Sequence, residues 1–172
     1  MIRLATPADI PEIQRVMQAS IEALSRGFYD QRQIASAMRY IGVPDRQLID
    51  DGTYFVIEED GRIIACGGWS ARAKLFTGTS DQELAEGFSD VARVRAMFVD
   101  PAFARRGLGR RILQACEEAA VRAGFRELAL MATLPGVPLY EACGYEPVER
   151  LPIEMPDGVR LDGVLMRKSA TR

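Results

Sequence analysis

Two glycines, Gly107 and Gly109, stand where an apolar strand pattern ends and a helical one begins. Arg105, Arg106, Arg110 and Arg111 surround them. Glycine lets the backbone take unusual φ values and come close to a ligand. The first amides of a helix lack internal partners, and the helix dipole is positive there. Together these features make an anion site suited to a phosphate or pyrophosphate. Two common phosphate patterns fail here. A P-loop needs Lys and then Ser or Thr after its last glycine, whereas Arg110 and Arg111 follow Gly109. A dinucleotide fingerprint needs a third small residue, and Ile112 stands in its place. The acid expected at the end of the next strand is also missing, because Glu127 lies near that strand's start. A bare GxG leaves a second reading open: a helix start with a capping glycine and a solvated arginine cluster.

An absence narrows the chemistry around such a site. The sequence contains no histidine. A His base, a Ser-His-Asp triad and a His-ligated metal are therefore excluded. Cys66, Cys116 and Cys143 are far apart, odd in number and without a CxxC, so neither a zinc site nor a disulfide framework is expected. No metal cofactor is expected at all. This cysteine usage fits reduced thiols and a cytoplasmic location. Lys plus Arg number 22 and Asp plus Glu number 24, giving a net charge of -2. A general nucleic-acid binder is usually basic, so no nucleic-acid partner is expected. No run approaches ~18 uncharged apolar residues, and Met1-Ile2-Arg3-Leu4 reads as a strand rather than a leader, so no membrane partner is expected either.

The chain of 172 residues has the length of one domain, expected to span 1–172. Ile2 to Ala5 reads as a short strand. Asp9 is placed to cap a helix in which Ile13, Val16, Met17, Ser20, Ile21 and Leu24 follow helical spacing. Gly27-Phe28-Tyr29 breaks it, and a shorter helix is expected from Asp30 to Tyr40. Thr53 to Glu59 and Arg62 to Lys74 read as a hairpin around Asp60-Gly61, a type I′ signal. Leu75 to Asp90 reads as a loop. Val91 to Val99 is a strand stopped by Asp100-Pro101. Leu108, Ile112, Cys116 and Ala120 mark an amphipathic helix closed by Gly124. Glu127 to Ala132 reads as a buried strand and Pro135 to Cys143 as a short helix closed by Gly144. Tyr145 to Met155 and Val159 to Lys168 read as a final strand pair. Hairpins flanking a central strand-helix-strand unit imply an α/β (α+β) fold: a mixed central sheet of about seven strands with about four helices.

The glycine turn resembles the acetyl-CoA motif of the GNAT superfamily of N-acetyltransferases. That family's pattern is [QR]-x-x-G-x-[GA] after a strand ending in Val-x-Pro. Here it reads Ala104-Arg105-Arg106-Gly107-Leu108-Gly109 after Val99-Asp100-Pro101, with Ala104 departing from Gln or Arg. Ile2 to Ile10 is similar to the family's opening strand and helix cap, and Phe55 to Gly68 to its hairpin. Leu139-Tyr140-Glu141-Ala142-Cys143-Gly144-Tyr145 is similar to its late LYExxGF box, with Tyr145 for Phe. Two separated motifs in the right order are more specific than either alone. The resemblance implies acetyl-CoA as co-substrate. It implies that amides from Arg105 to Arg110, including those of Arg106, Gly107, Leu108 and Gly109, cradle the CoA pyrophosphate. It also implies that Met97, Phe98 and Val99 offer strand-edge groups to the pantetheine arm.

Acetyl transfer to an amine has two proton steps: the amine must lose a proton, and the leaving thiolate must gain or share one. Tyr140 lies in the box where the family often places its general acid, and a phenol has an O–H to donate. The competing reading is a tyrosine that only packs. Many relatives place a Glu base on the strand before the pyrophosphate loop. That strand here carries Arg93 and Arg95, and no carboxylate before Asp100. Glu58, Glu86 and Asp90 remain by exclusion, or a water relay.

The family's acceptor pocket lies between the early helices and the final strands, which here points to Ser20, Leu24, Phe28, Tyr29 and Trp69. Core packing competes for each aromatic. The acidic run Asp81, Glu83, Glu86 and Asp90 would attract a cationic amine or simply be a solvated face. The implied reaction is N-acetylation of a small-molecule or peptide amine, with a homodimer as one open assembly. O-acylation, a longer acyl donor and a non-catalytic acyl-CoA sensor are the competing classes.

Overall fold

The computed structural model of the chain describes residues 1–72 and 91–170. Seven strands join one sheet in the order β1-β2-β3-β4-β5-β7-β6. They are β1 (Ile2–Leu4), β2 (Tyr54–Glu59), β3 (Arg62–Ser70), β4 (Val91–Val99), β5 (Glu127–Thr133), β6 (Glu146–Glu154) and β7 (Arg160–Ser169). The helices are α1 (Ile10–Leu24), α2 (Gln31–Tyr40), α3 (Arg46–Asp50), α4 (Leu108–Arg122) and α5 (Val137–Ala142). All pairings are antiparallel except that of β4 with β5. A parallel pair needs a crossover, and α4 supplies it.

The local chemistry follows the sequence closely. Asp60 and Gly61 both take positive φ at the tip of the β2–β3 hairpin, as a type I′ turn requires. In α4, Leu108, Ile112, Leu113, Cys116 and Ala120 form the buried stripe. It packs on one sheet face against Ile64, Ala92, Val94 and Leu128. Gly124, with φ near 99°, ends the helix. On the other face, Ile13, Val16 and Met17 of α1 pack against Val56, Ile63 and Cys66. Gly67 on β3 sits where an added Cβ would lie 2.6 Å from Ile112 and 2.7 Å from Met97, so the α4 stripe approaches β3 only because that residue is glycine.

The expected strands, the mixed sheet and the main helices are all present. Three details differ. The helices among the described residues include α3, which the sequence reading left out; Asp45 caps it by accepting from the Gln47 amide at 3.0 Å. Asp9 does not cap α1 through its side chain. It accepts instead from the Thr6 amide at 2.8 Å and from Arg3, closing a box one turn earlier. Strand β3 ends at Ser70. The loop expected over 75–90 lies outside the described residues, with Asp81, Glu83, Glu86 and Asp90 in it.

Candidate active site

Strands β4 and β5 pair only over Val91–Arg93 and Glu127–Ala129. Beyond Arg93 they part, while β5 stays paired with β7 out to Thr133. The parting leaves the edge of Val94–Val99 facing a cleft. On its other side β4 stays on β3, but with an irregular register: Cys66 faces Phe98 and Gly68 faces Arg95, so Ala96 and Met97 together oppose Gly67. This is a bulge, and Ala96 carries it at φ near 53°. A positive φ is strained for alanine. The Tyr54 hydroxyl braces it by donating to the Ala96 carbonyl at 2.8 Å.

The loop after β4 is anchored before it turns. Asp100 is buried and accepts from the Ala102 amide at 3.0 Å, opening a short 3₁₀ turn at Pro101–Phe103. Its second oxygen accepts from Arg15 of α1 at 2.9 Å and from Arg62 of β3 at 3.1 Å. Burial works against its charge, but the bonds from Arg15, the Ala102 amide and Arg62 hold its pKa below the usual value. Arg105 and Gly107 then both take positive φ, near 63° and 74°. Gly107 is the N-cap of α4, and no side chain caps this end. The first bond inside the helix runs from the Arg111 amide to the Gly107 carbonyl at 3.1 Å. The amides of Leu108, Gly109 and Arg110 precede it, so this helix end has the donors an anion needs. Of the arginine cluster, Arg106 pairs with Glu59 at 3.1 Å and lies over the Phe103 ring. Arg105, Arg110 and Arg111 are exposed around the turn.

The cleft opens into a cavity of about 230 Å3. Met97, Phe98, Val99, Gly109 and Tyr140 all line it, so two separated sequence motifs and the parted strand meet at one place. Gly109 faces Leu139: an added Cβ would lie 2.9 Å from its tip. The Tyr140 ring stands edge-on to Tyr145 at 5.9 Å. Burial among apolar neighbours, with Cys116 and Cys143 close by, pushes its phenol well above the ordinary tyrosine value.

The sequence-derived acceptor residues divide. Ser20, Leu24 and Tyr29 line the cavity. The Tyr29 hydroxyl is committed, accepting from the Leu134 amide at 2.9 Å and donating to the Asp162 carbonyl at 2.6 Å. Phe28 is 51% exposed and does not reach the cavity wall. Trp69 lies in the α4-side core, edge-on to Phe125 at 5.6 Å. The family resemblance implied both at the wall, but the Phe28 side chain faces solvent and Trp69 packs in the core. Glu58 pairs with Arg3 at 2.7 Å and is likewise not at the cavity. Glu86 and Asp90 lie outside the described residues.

The sequence reading missed three contributors. The bulge at Ala96 had no signal, since alanine is not a residue associated with positive φ. Tyr54 read as an ordinary strand aromatic. Arg95 lines the cavity yet its side chain is fully buried, bonded to Asp45 at 2.6 Å. Burial lowers the Arg95 pKa while Asp45 opposes that shift. The Pro44-Asp45 pair before an apolar run was a readable helix-cap signal for that partner.

Comparison with known proteins gives a consistent result. Residues 16–145 match the model of the acetyltransferase (GNAT) family. No curated protein sequence matches the chain. Among solved structures, a GCN5-related N-acetyltransferase from Rhodopseudomonas palustris superposes with a TM-score of 0.74 at 20% identity, over 98% of this chain and 94% of that one. A PaiA N-acetyltransferase from Thermoplasma acidophilum, solved in complex with coenzyme A, superposes at 0.69 with 15% identity over 98% of both chains. YncA from Salmonella typhimurium, solved with its cofactor acetyl-CoA, superposes at 0.66 with 20% identity, over 100% of this chain and 94% of that one.

Proposed function

Because the chain belongs to the acetyltransferase (GNAT) family, we propose that it moves an acetyl group from acetyl-CoA to a primary amine by direct attack in a ternary complex. One observation carries this reading: the uncapped N-terminus of α4, the parted edge of β4 and Tyr140 converge on a single cavity.

The donor set fits the co-substrate. The positive-φ turn at Arg105 and Gly107 and the free amides of Leu108, Gly109 and Arg110 suit a pyrophosphate, with Arg105, Arg106 and Arg110 adding charge. The unpaired edge of Met97, Phe98 and Val99 suits an amide-bearing chain such as pantetheine, which would add to it as a strand does. A backbone amide near Phe98 or Val99 would then meet the developing oxyanion.

The amine nitrogen attacks the thioester carbon, and its N–H proton leaves through water. As the C–S bond breaks, the Tyr140 O–H donates its proton to the departing sulfur. The phenol is protonated at neutral pH, as a donor must be, while burial makes it a weaker acid than an exposed tyrosine, so the transfer is driven by the charge developing on sulfur. The thiols of Cys66 and Cys116 are buried, with Cys66 pushed up to about 12 by that burial, so neither is suited to form an acyl-cysteine on this route. Calorimetric titration with acetyl-CoA, followed by a thiol-release screen across amines, tests the reading. Binding with amine-dependent thiol release is expected; binding without release from any amine would identify an acyl-CoA sensor instead.

A further inference from the structure

The cavity extends between the early helices and the last strands, where its lining is apolar. Its wall there is Ile21 and Leu24 from α1, Ile41 after α2, Met131 from β5, Ile153 from β6 and Leu161 from β7. The same side chains, apart from Leu24, belong to or pack on one apolar cluster closing the space between α1, α2 and the last strands. Among the described lining, the polar side chains other than Arg95 are uncharged: Ser20, Ser25, Tyr29, Thr133 and Tyr140. Ser20 and Ser25 contribute hydroxyls, and the Tyr29 hydroxyl is already held by Leu134 and Asp162. Arg95 is the charged residue among the described lining, and Asp45 neutralises it.

Resting on the acetyltransferase reading and on the acceptor pocket that the family resemblance implies between the early helices and the last strands, we propose that the acceptor is a monoamine with an uncharged aliphatic or aromatic body. The reasoning is one of desolvation. An apolar body gains free energy from every Å2 it removes from water against these side chains. A second ammonium or a carboxylate on that body would lose its hydration with no opposite charge on the described wall to replace it. The amine end differs, because it points toward the thioester region, where Ser20 and the open β4 edge offer hydrogen-bond partners. Polyamines, aminoglycosides and free amino acids are therefore disfavoured, and amines resembling hexylamine or phenethylamine are favoured.

Three probes of one chain length test this: hexylamine, 1,6-diaminohexane and 6-aminohexanoate. Each is titrated calorimetrically into the protein with and without CoA, and each is assayed in parallel for thiol release with acetyl-CoA. Hexylamine is expected to bind about tenfold or more tightly than either doubly functional probe. Leu24→Asp places a carboxylate on the wall at a residue that is 41% exposed, so folding tolerates it. It is expected to reduce the preference for hexylamine over the diamine by about tenfold. Equal or tighter binding of the diamine or the amino acid to the native protein would overturn the proposal, as would no hexylamine binding. An unchanged preference in Leu24→Asp would overturn it too. Hexylamine binding without thiol release would sink the acetyltransferase reading alone and leave the assigned pocket standing.

Discussion

The Tyr54 hydroxyl donates to the main-chain carbonyl of Ala96 at 2.8 Å, from one strand of the sheet across β3 to another. Ala96 holds the positive φ of the β4 bulge. The bulge sets Ala96 and Met97 together opposite Gly67, while Phe98 and Val99 stay paired with Cys66 and Ala65 and leave their other edge to the cleft. A buried tyrosine two strands away thus fixes the edge on which the co-substrate is proposed to lie. Tyr54→Phe removes this bond and leaves a carbonyl without its donor. A loss of about 1–2 kcal/mol in stability is expected by chemical denaturation. A fall in kcat/KM exceeding the fall in folded fraction is expected as well. Native kcat/KM in a destabilised Tyr54→Phe protein would show that the bulge does not depend on this brace.

Tyr140→Phe keeps the ring in its edge-on contact with Tyr145 and deletes only the O–H. If the phenol is the acid, kcat falls about a hundredfold while the acetyl-CoA Kd hardly moves. The native pH profile carries a further sign. Because burial raises the Tyr140 pKa, its proton is retained through the alkaline range, and kcat should show no loss from tyrosine ionisation up to about pH 10. An alkaline limb near pH 8 that disappears in Tyr140→Phe would contradict this.

The sequence showed the fold well because its signals were local. Asp60-Gly61 specifies a turn by backbone conformation, and the Leu108, Ile112, Cys116, Ala120 stripe specifies a helix by spacing. The anion loop was legible for the same reason, since Gly107 and the uncapped amides after it are neighbours in the chain. The apolar lining of the proposed acceptor pocket was not, because Ile21, Met131 and Leu161 meet only through tertiary packing. Phe28 and Trp69 show the same limit from the other side. Their positions in the chain are near the wall, but a rotamer and a strand face decide where an aromatic ring goes. The Arg95–Asp45 pair, formed across 50 positions, was also beyond any local signal.

Gly109 and Gly107 separate two effects at the anion loop. Gly109→Glu brings a negative charge to the helix end proposed for the pyrophosphate and presses on Leu139. Acetyl-CoA binding should fall below calorimetric detection. Gly107→Ala meets no neighbouring atom within 4 Å but must hold φ near 74°. It should cost about 1–2 kcal/mol of stability and weaken acetyl-CoA binding modestly. Unchanged acetyl-CoA affinity in Gly109→Glu would remove the loop from the binding site.

Acid should weaken the fold through two carboxylates that anchor the ends of this layer. Asp9 accepts from Arg3 and the Thr6 amide, and its pKa falls from 3.8 to about 2, with the Arg3 bond as the largest cause. Asp100 lies below 3.8 as well, held there by Arg15, the Ala102 amide and Arg62 against the penalty of burial. A depressed folded-state pKa contributes stability that is present above the unfolded value and is lost as pH falls through the folded one. Stability should therefore decline from about pH 4 toward pH 2. Asp9→Asn should flatten that decline by on the order of 1 kcal/mol, and thermal melts at stepped pH would show it. Asp100→Asn should do the same and, in addition, weaken acetyl-CoA binding at pH 7, because Asp100 starts the turn that carries Arg105 to Gly109. If acetyl-CoA affinity at pH 7 is native in Asp100→Asn, the ion pairs of Asp100 stabilise the fold without shaping the loop.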